Sequence, residues 1–305
     1  IAVITAHWET PEVAITAQTS PDLVYDYGGF PPHTYQLTYP APGSPALAER
    51  IGGLLGDAGI AHRYETQRGW DHGVFVPLKQ STDGGLRHGG NVSPAKKFLR
   101  KLMVTTNTAA ASVTPMKLLD YIGFYGFIDE SVLDEQFLDN TTPLPRHVDG
   151  AGVQLMPVVV AGQTGGQPFT VSYTNQDGVA GRTTTSVLMS TQFVNGTILC
   201  SQNGGATYPH AGPFLPLQTG DSGVRSVQSV TIGGIGDVGL FALVLVKPLA
   251  SISLYEITAA SETDFLLDAA TMPVIEDDAY LNFIALPTGT LSGAPIIGIL
   301  ETTWN

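Results

Sequence analysis

The stretch from Asp221 to Thr258 is the sequence feature that most constrains the fold of this chain. Its first part alternates apolar and polar residues as far as Ile232, and a glycine-rich turn, Gly233 to Gly239, follows. Leu240 to Val246 is then an unbroken apolar run, and a second alternating run comes after it. Period-two alternation, β-branched residues and glycine or proline punctuation predict consecutive β-strands. The apolar run is too short for a membrane helix, which needs about 20 such residues.

The run from Leu240 to Val246 predicts the centre of a β-sheet. Both sets of alternating side chains along it are apolar, so we expect the strand to be covered on its two faces. Lys247-Pro248 follows the run directly. Because proline cannot donate a hydrogen bond to an interior ladder, we expect the strand to leave the sheet at this point.

Short apolar stretches rich in Val and Thr continue at regular spacing through most of the chain, separated by Gly, Pro and Asn. Strands are predicted at Lys117–Phe127, Gln154–Val160, Phe169–Thr174, Thr183–Leu188, Gly196–Cys200, Ser226–Ile232, Leu240–Val246, Ser251–Thr258, Ala279–Leu286 and Ile296–Thr302. Many short strands with turn signals between them are typical of an antiparallel sandwich or barrel. We therefore predict a mainly β chain.

The first 79 residues have a different character. Ser44 followed by Pro45 predicts the start of a helix that runs to about Leu55. Apolar Val13–Ala17 before it and Arg63–Glu65 after it predict short strands, and this order is typical of α/β structure. The sequence thus predicts two parts, a short α/β segment over residues 1–79 and a β-rich domain over residues 80–305.

Composition limits the partners that this chain can have. The formal net charge is −13, and only 13% of the residues are charged. Direct nucleic-acid binding is not expected, because phosphate contacts depend on Lys and Arg. Membrane association is not expected either. A surface with few charges suits a β protein that is covered by other subunits. The single cysteine, Cys200, excludes a disulfide framework within the chain.

The main group of cations lies between Ser93 and Met103. Lys96, Lys97, Arg100 and Lys101 are close together there, within SPAKKFLRKLM. We interpret this segment as a short amphipathic helix with its cations on a solvated face; the alternative is that they contact an acidic neighbouring subunit.

Three segments near the N-terminus place histidines beside aromatic residues and glycines. They are ITAHWET, YDYGGFPPHTYQLTYPAPGSPALAERI and GWDHGVFVPLK. In this order, over Ile1–Lys79, they resemble the class III extradiol ring-cleaving dioxygenases of the 4,5-DOPA dioxygenase branch. The resemblance implies that His7 of the AHW motif binds a non-haem metal ion, Fe or Zn. It also implies that His72 of the DHG motif lines the active site.

The same resemblance implies further histidines, one in an HGSP motif before AHW and others in the C-terminal half. The histidines after Lys79 are His88, His147 and His210, and none lies in a matching context. An open metal site needs about three protein ligands. From His7 alone we therefore expect no catechol cleavage, no catalytic residue, no metal ligand and no cofactor.

The remaining three quarters of the chain have a second resemblance. LKQSTDGGLRHGGNVSPAKKF, DEQFLDNTTPLPRHVDGAGVQLMPVVVA and DDAYLNFIALPTGTL are similar to segments of tailed-phage virion structural proteins. That resemblance implies a capsid-associated or other particle protein, located in the virion and not an enzyme. Its expected partners are copies of itself and other virion proteins.

The sequence thus leaves three hypotheses of function. The first is a structural component of a phage particle. The alternative is a metal-dependent extradiol catechol dioxygenase, or an inactive fragment or fusion of one. The third is a carbohydrate-binding β-sandwich of the tail-fibre type, whose sign would be an exposed cluster of Trp or Tyr; Trp304 and Tyr208 alone give it little support. The joint at Lys79-Gln80 is explained by a natural or engineered fusion, by two sequences joined in error, or by descent from a dioxygenase whose catalytic half was replaced.

Overall fold

A computed structural model describes residues 8, 10–26, 35–36, 38, 41–71, 85–86, 88–107, 114–164, 166–189, 196–199, 201–202, 212–234, 238–256, 259–286 and 295–305. The chain divides into two compact units, residues 1–85 and residues 86–305. Neither helix among the described residues is long and apolar enough to cross a membrane.

The described part of the first unit combines one helix with short parallel strand pairs. Its elements are β1 (Val13–Thr16), β2 (Leu23–Val24), α1 (Pro45–Asp57), β3 (His62–Glu65) and β4 (Trp70–Asp71). Strand β1 pairs in parallel with β3, and β2 pairs in parallel with β4. Helix α1 begins as predicted, because the Ser44 hydroxyl accepts a hydrogen bond from the backbone N–H of Leu47 and Pro45 occupies the first turn.

Two glycines allow backbone segments of this unit to lie unusually close together. A β-carbon at Gly69 would lie 2.0 Å from the carbonyl oxygen of Asp22, and one at Gly43 would lie 2.0 Å from that of Gln18. Only glycine fits at such a separation. Gly69 thereby brings the loop before β4 against the residue that precedes β2.

The described part of the second unit consists of antiparallel strands and one short helix, α2 (Phe265–Asp268). The strands are β5 (Lys97–Thr106), β6 (Thr114–Asp129), β7 (Gln136–Phe137), β8 (Gln154–Thr164), β9 (Pro168–Asn175), β10 (Arg182–Thr183), β11 (Val187–Met189), β12 (Ser201–Gln202), β13 (Val224–Ile232), β14 (Val238–Leu254), β15 (Ser261–Asp264), β16 (Val274–Ile275), β17 (Leu281–Ala285) and β18 (Ile296–Trp304).

These strands form three sheets. The first has the order β12-β11-β9-β13-β7, with β10 paired to β9; the second has the order β17-β6-β14-β8. In the third, β15, β16 and β18 all pair with β5. Every pairing in the second unit is antiparallel among the described strands, so the prediction of a mainly β chain with antiparallel sheets is confirmed.

Strand β14 takes part in two cores of the second unit. Near its start Leu243 packs with Val230 of β13, and near its end Leu254 packs with Leu102 of β5. Val246 belongs to a third cluster. β14 lies between β6 and β8, so the predictions of a central strand and of two covered faces are confirmed.

The predicted exit at Lys247-Pro248 is wrong, because β14 continues through the proline to Leu254. Its pairing with β8 ends at Val246, whereas its pairing with β6 goes on to the end of the strand. The register with β6 also shifts between Pro248 and Ala250. A proline is tolerated where one side of a strand has no ladder to supply and at irregular positions.

The predicted amphipathic helix with exposed cations is also wrong. Its residues from Lys97 onward form β5, in which Leu99, Leu102 and Val104 are buried. The side chain of Lys97 is buried as well, and its Nζ lies 2.9 Å from a carboxylate oxygen of Asp277. A partner distant in sequence thus stabilises a buried cation that local patterning assigns to solvent.

Candidate functional site

The segments that carry His7 and His72 approach each other through Arg68. His7 and His72 lie outside the described residues, but their sequence neighbours Trp8 and Asp71 lie within them. The guanidinium carbon of Arg68 is 5.2 Å from the ring centroid of Trp8. Its Nη2 is 3.4 Å from Oδ2 of Asp71. One guanidinium group therefore contacts both the AHW and the DHG segments.

Short-range hydrogen bonds fix the turn that presents Arg68. Strand β3 ends at Glu65, whose carboxylate accepts the backbone N–H of Gln67 at 2.9 Å. That hydrogen bond holds the pKa of the Glu65 carboxyl below its usual value. The carbonyl oxygen of Arg68 then accepts a hydrogen bond from Nε2 of Gln18 at 2.7 Å. The turn is thereby tied to the residues that follow β1.

The next residues of this loop are held just as closely. The backbone N–H of Trp70 donates to the carbonyl oxygen of Asp22 at 2.7 Å, and its indole Nε1–H donates to the carbonyl oxygen of Ala41 at 3.3 Å. Asp71, the last residue of β4, is only 1% exposed. The residue that precedes His72 is therefore fixed by backbone pairing and by burial.

The electrostatics around Arg68 favour an anionic or electron-rich partner. Its contact with the face of the Trp8 indole is a cation–π interaction. Its Nε is buried and has no hydrogen-bond partner among the described residues. A buried donor without a partner costs free energy unless a ligand or a nearby group accepts a hydrogen bond from it.

The described residues do not by themselves compose a metal site. No group of three or more His, Cys, Asp or Glu side chains in the described part of the chain could hold a metal ion. Asp71 is engaged by Arg68. The prediction that His7 ligates a metal ion and the prediction that His72 lines the active site stay predictions.

Two of the histidines after Lys79 have structural contacts within the second unit. His88 accepts a hydrogen bond from Nζ of Lys97 through Nδ1 at 3.3 Å, so its Nε2–H donates to the carbonyl oxygen of Ala279 at 2.9 Å. Nε2 of His147 lies 3.4 Å from Oδ2 of the buried Asp120. His210 lies outside the described residues.

Comparison with protein families gives a match at the N-terminus. Residues 1–109 match the model of the catalytic LigB subunit of aromatic ring-opening dioxygenase. The match includes all of the first unit and continues through β5.

Individual relatives agree with the family match. A dioxygenase named tasH from Hapsidospora irregularis is 48% identical over 79 residues, which cover 26% of this chain and 24% of that protein. The 4,5-DOPA dioxygenase extradiol of Beta vulgaris is 47% identical over 79 residues, 26% of this chain and 30% of that protein. The Escherichia coli enzyme of the same name is 45% identical over 87 residues, 28% of this chain and 32% of that protein. The chain thus spans between about a quarter and a third of the length of these relatives.

These matches correct several expectations from the sequence. The virion structural role, the virion location and the expectation of a non-enzyme are wrong, because the relatives are dioxygenases of plants, bacteria and fungi. The expectation of no cofactor is wrong as well, since dioxygenases of the matching family typically depend on a non-haem metal; the alternative expectation of Fe or Zn is compatible with this. We find nothing that supports the resemblance of residues 80–305 to phage proteins.

Other expectations stay predictions. Association with copies of itself is one, and the division at residues 79 and 80 is another. The carbohydrate-binding hypothesis depends on Trp304, which is exposed at the end of β18, and on Tyr208, which lies outside the described residues.

Sequence reasoning missed Arg68. Its one local signal is its position three residues before Asp71 in the segment QRGWDHG. Its contact with Trp8, 60 residues earlier, has no signal in the sequence pattern.

Proposed function

We propose that this chain acts as an extradiol ring-cleaving dioxygenase on a catechol-type substrate, with residues 1–109 forming part of the catalytic domain. Three ordered segments within Ile1–Lys79 support the proposal, and so does the family match over residues 1–109. The single observation that carries it is the convergence of the AHW and DHG segments on Arg68.

Each residue has a distinct role in this proposal. His7 holds the non-haem metal ion, Fe or Zn, and His72 lines the substrate site. The metal ion, when bound, supplies Lewis-acid polarisation of the substrate's oxygen atoms. Arg68 is a positioning residue, because it holds together the two segments on which His7 and His72 lie. Small displacements of catalytic groups cost much activity, so this support matters for the rate.

Substitution of Arg68 tests the proposal. In Arg68→Met the apolar stem remains and the guanidinium is lost, so the Trp8 and Asp71 segments lose their common contact. We expect kcat/KM for ring opening of DOPA by the Fe(II)-loaded chain to fall by about 10- to 100-fold. Oxygen uptake and the absorbance of the ring-opened product measure this rate.

The matched control is Arg50→Met, which removes an exposed arginine on α1. We expect this variant to open the ring at the unchanged rate, since exposed charges contribute little to stability. Equal activity of the two variants would show that Arg68 does not support the site. No oxygen uptake by the unsubstituted Fe(II)-loaded chain with any catechol would contradict the proposed function itself.

A further inference from the structure

A cleft in the second unit concentrates the lysines of an acidic chain. Its volume is about 480 Å³, and Lys96, Lys97 and Lys247 are among its lining residues. The whole chain has only six lysines and a net charge of −13. Sites for small ligands commonly have volumes of about 300–1,000 Å³. Half of the lysines thus surround one space of ligand size.

Part of this positive charge is left uncompensated. Nζ of Lys97 forms an ion pair with Oδ1 of Asp277 at 2.9 Å. Asp277 also accepts the backbone N–H groups of Val92 and Ser93, and these contacts hold it in place. The Nζ of Lys247 donates instead to the neutral carbonyl oxygen of Ala151. Among the described residues neither Lys247 nor Lys96 has a carboxylate partner. The cleft therefore keeps two cations for an anionic ligand.

His147 is fixed at the same cleft by a buried carboxylate. Its Nε2 lies 3.4 Å from Oδ2 of Asp120, which is 1% exposed and also accepts Nε–H of Arg146 at 2.7 Å. Burial raises the pKa of Asp120, but the hydrogen bonds from His147 and Arg146 outweigh it and leave that pKa below its usual value. The ionised carboxylate holds the imidazole in one orientation.

The backbone around His147 is strained and also holds Lys247. His147 has φ +51°, an uncommon conformation for a residue other than glycine. Such conformations cluster at functional sites. The carbonyl oxygen that accepts from Lys247 belongs to Ala151, four residues later in the same loop. Two successive turns of one loop therefore orient both a cation and an imidazole at the cleft.

The rest of the lining is largely apolar. Leu249 follows the bend at Pro248, and Pro273 and Ile275 come from the segment around β16. Glu276 is the remaining acid in the lining besides Asp277. Apolar surface together with two free cations matches a ligand that has an apolar body and an anionic end.

We propose that this cleft binds a small organic carboxylate with an apolar body. Lys247 and Lys96 face its carboxylate, His147 lies at the rim, and Leu249 and Val274 contact its body. The proposal does not depend on the dioxygenase activity, because none of the residues named here has a role in the ring cleavage proposed above.

Ligand-observed fluorine NMR with the full chain tests this proposal, with para-fluorobenzoate as the probe and para-fluorobenzamide as its neutral counterpart. We expect the benzoate to bind about tenfold or more tightly than the benzamide, as a charge-assisted hydrogen bond predicts. Inorganic phosphate is added in competition. If phosphate displaces the probe as effectively as unlabelled benzoate does, any oxyanion suffices. That result would contradict the proposal that the ligand has an apolar body.

Variants locate the binding. We expect Lys247→Met to weaken benzoate binding by about tenfold or more. Lys117→Met is the matched control, because Lys117 likewise has one neutral partner, the hydroxyl of Ser251 at 3.1 Å, and does not line the cleft. It should bind benzoate as the unsubstituted chain does.

If Lys247→Met does not fold, the test uses Lys96→Met, which replaces an exposed lysine. We expect this variant also to bind benzoate more weakly than the unsubstituted chain. Three outcomes would overturn the proposal: equal binding of benzoate and benzamide, no benzoate binding at millimolar concentration, or unchanged binding in the folded lysine variant.

Discussion

Replacing Leu243 by alanine is expected to lower the free energy of unfolding by about 2–5 kcal/mol. The side chain is 0% exposed and packs in the core between the first and second sheets of the second unit. On either side of it, Tyr125 of β6 and Pro157 of β8 are its partners in register. Two neighbouring strands prevent β14 from moving to fill the space, so the substitution leaves a cavity.

Leu267→Ala is the matched control for this prediction. Leu267 lies in α2 and is 78% exposed, so the same chemical change there should cost less than about 0.5 kcal/mol. Urea unfolding of the full chain, followed by circular dichroism, gives the midpoints at constant slope. Equal small shifts for the two variants would mean that β14 is not the centre of its sheet.

Replacing His7 by alanine is expected to reduce ring opening by about 100-fold or more. The proposal assigns the metal ion to this residue, and even groups that only support a metal ligand contribute about 10- to 100-fold to affinity or activity. Loss of the ligand itself should have at least the larger effect. The measurement is kcat/KM for DOPA with saturating Fe(II), together with the amount of iron that remains bound after gel filtration.

His62→Ala is the control, since it removes another histidine of the same unit. Nδ1 of His62 lies 3.2 Å from the carbonyl oxygen of Ile60, and its ring packs edge-on against Tyr64, so its contacts are structural. We expect this variant to retain its iron and its activity. Full activity in His7→Ala, or the same loss in both variants, would remove the assignment of His7.

Periodicity and capping were sufficient to predict many elements. Gln154–Val160, Phe169–Thr174 and Ser226–Ile232 all lie inside observed strands, because each alternates or is uniformly apolar between turn signals. Helix α1 was also predicted correctly at its start, where Ser44 and Pro45 give local signals that need no tertiary partner.

Elements that depend on distant partners could not be predicted in this way. Strand β5 was interpreted as a helix, because its cations suggest a solvated face until Asp277, 180 residues later, is placed beside Lys97. The continuation of β14 through Pro248 depends on where β8 begins, since Gln154, its first residue, pairs with Val246. Both the strand conformation of β5 and the length of β14 are determined by pairing with distant strands, which composition does not reveal.

The residues of the candidate site were likewise predicted only where they lie in local motifs. His7 and His72 were found through motifs, whereas Arg68 was missed because its contact with Trp8 is a tertiary one. His147 was noted only as lacking a motif, since its partner Asp120 comes from a distant segment, strand β6. The virion assignment failed because Gly-, Thr- and Val-rich strands and turns are shared by β proteins of many functions.

Incorporation of labelled dioxygen tests the dioxygenase proposal most directly. The Fe(II)-loaded full chain is incubated with a catechol and oxygen-18 gas, and the product is analysed by mass spectrometry. We predict a ring-opened product that carries both atoms of one labelled dioxygen molecule, formed by the unsubstituted chain and not by His7→Ala. A ring-opened product without both labelled atoms, or no product from the iron-loaded chain, would contradict the proposal.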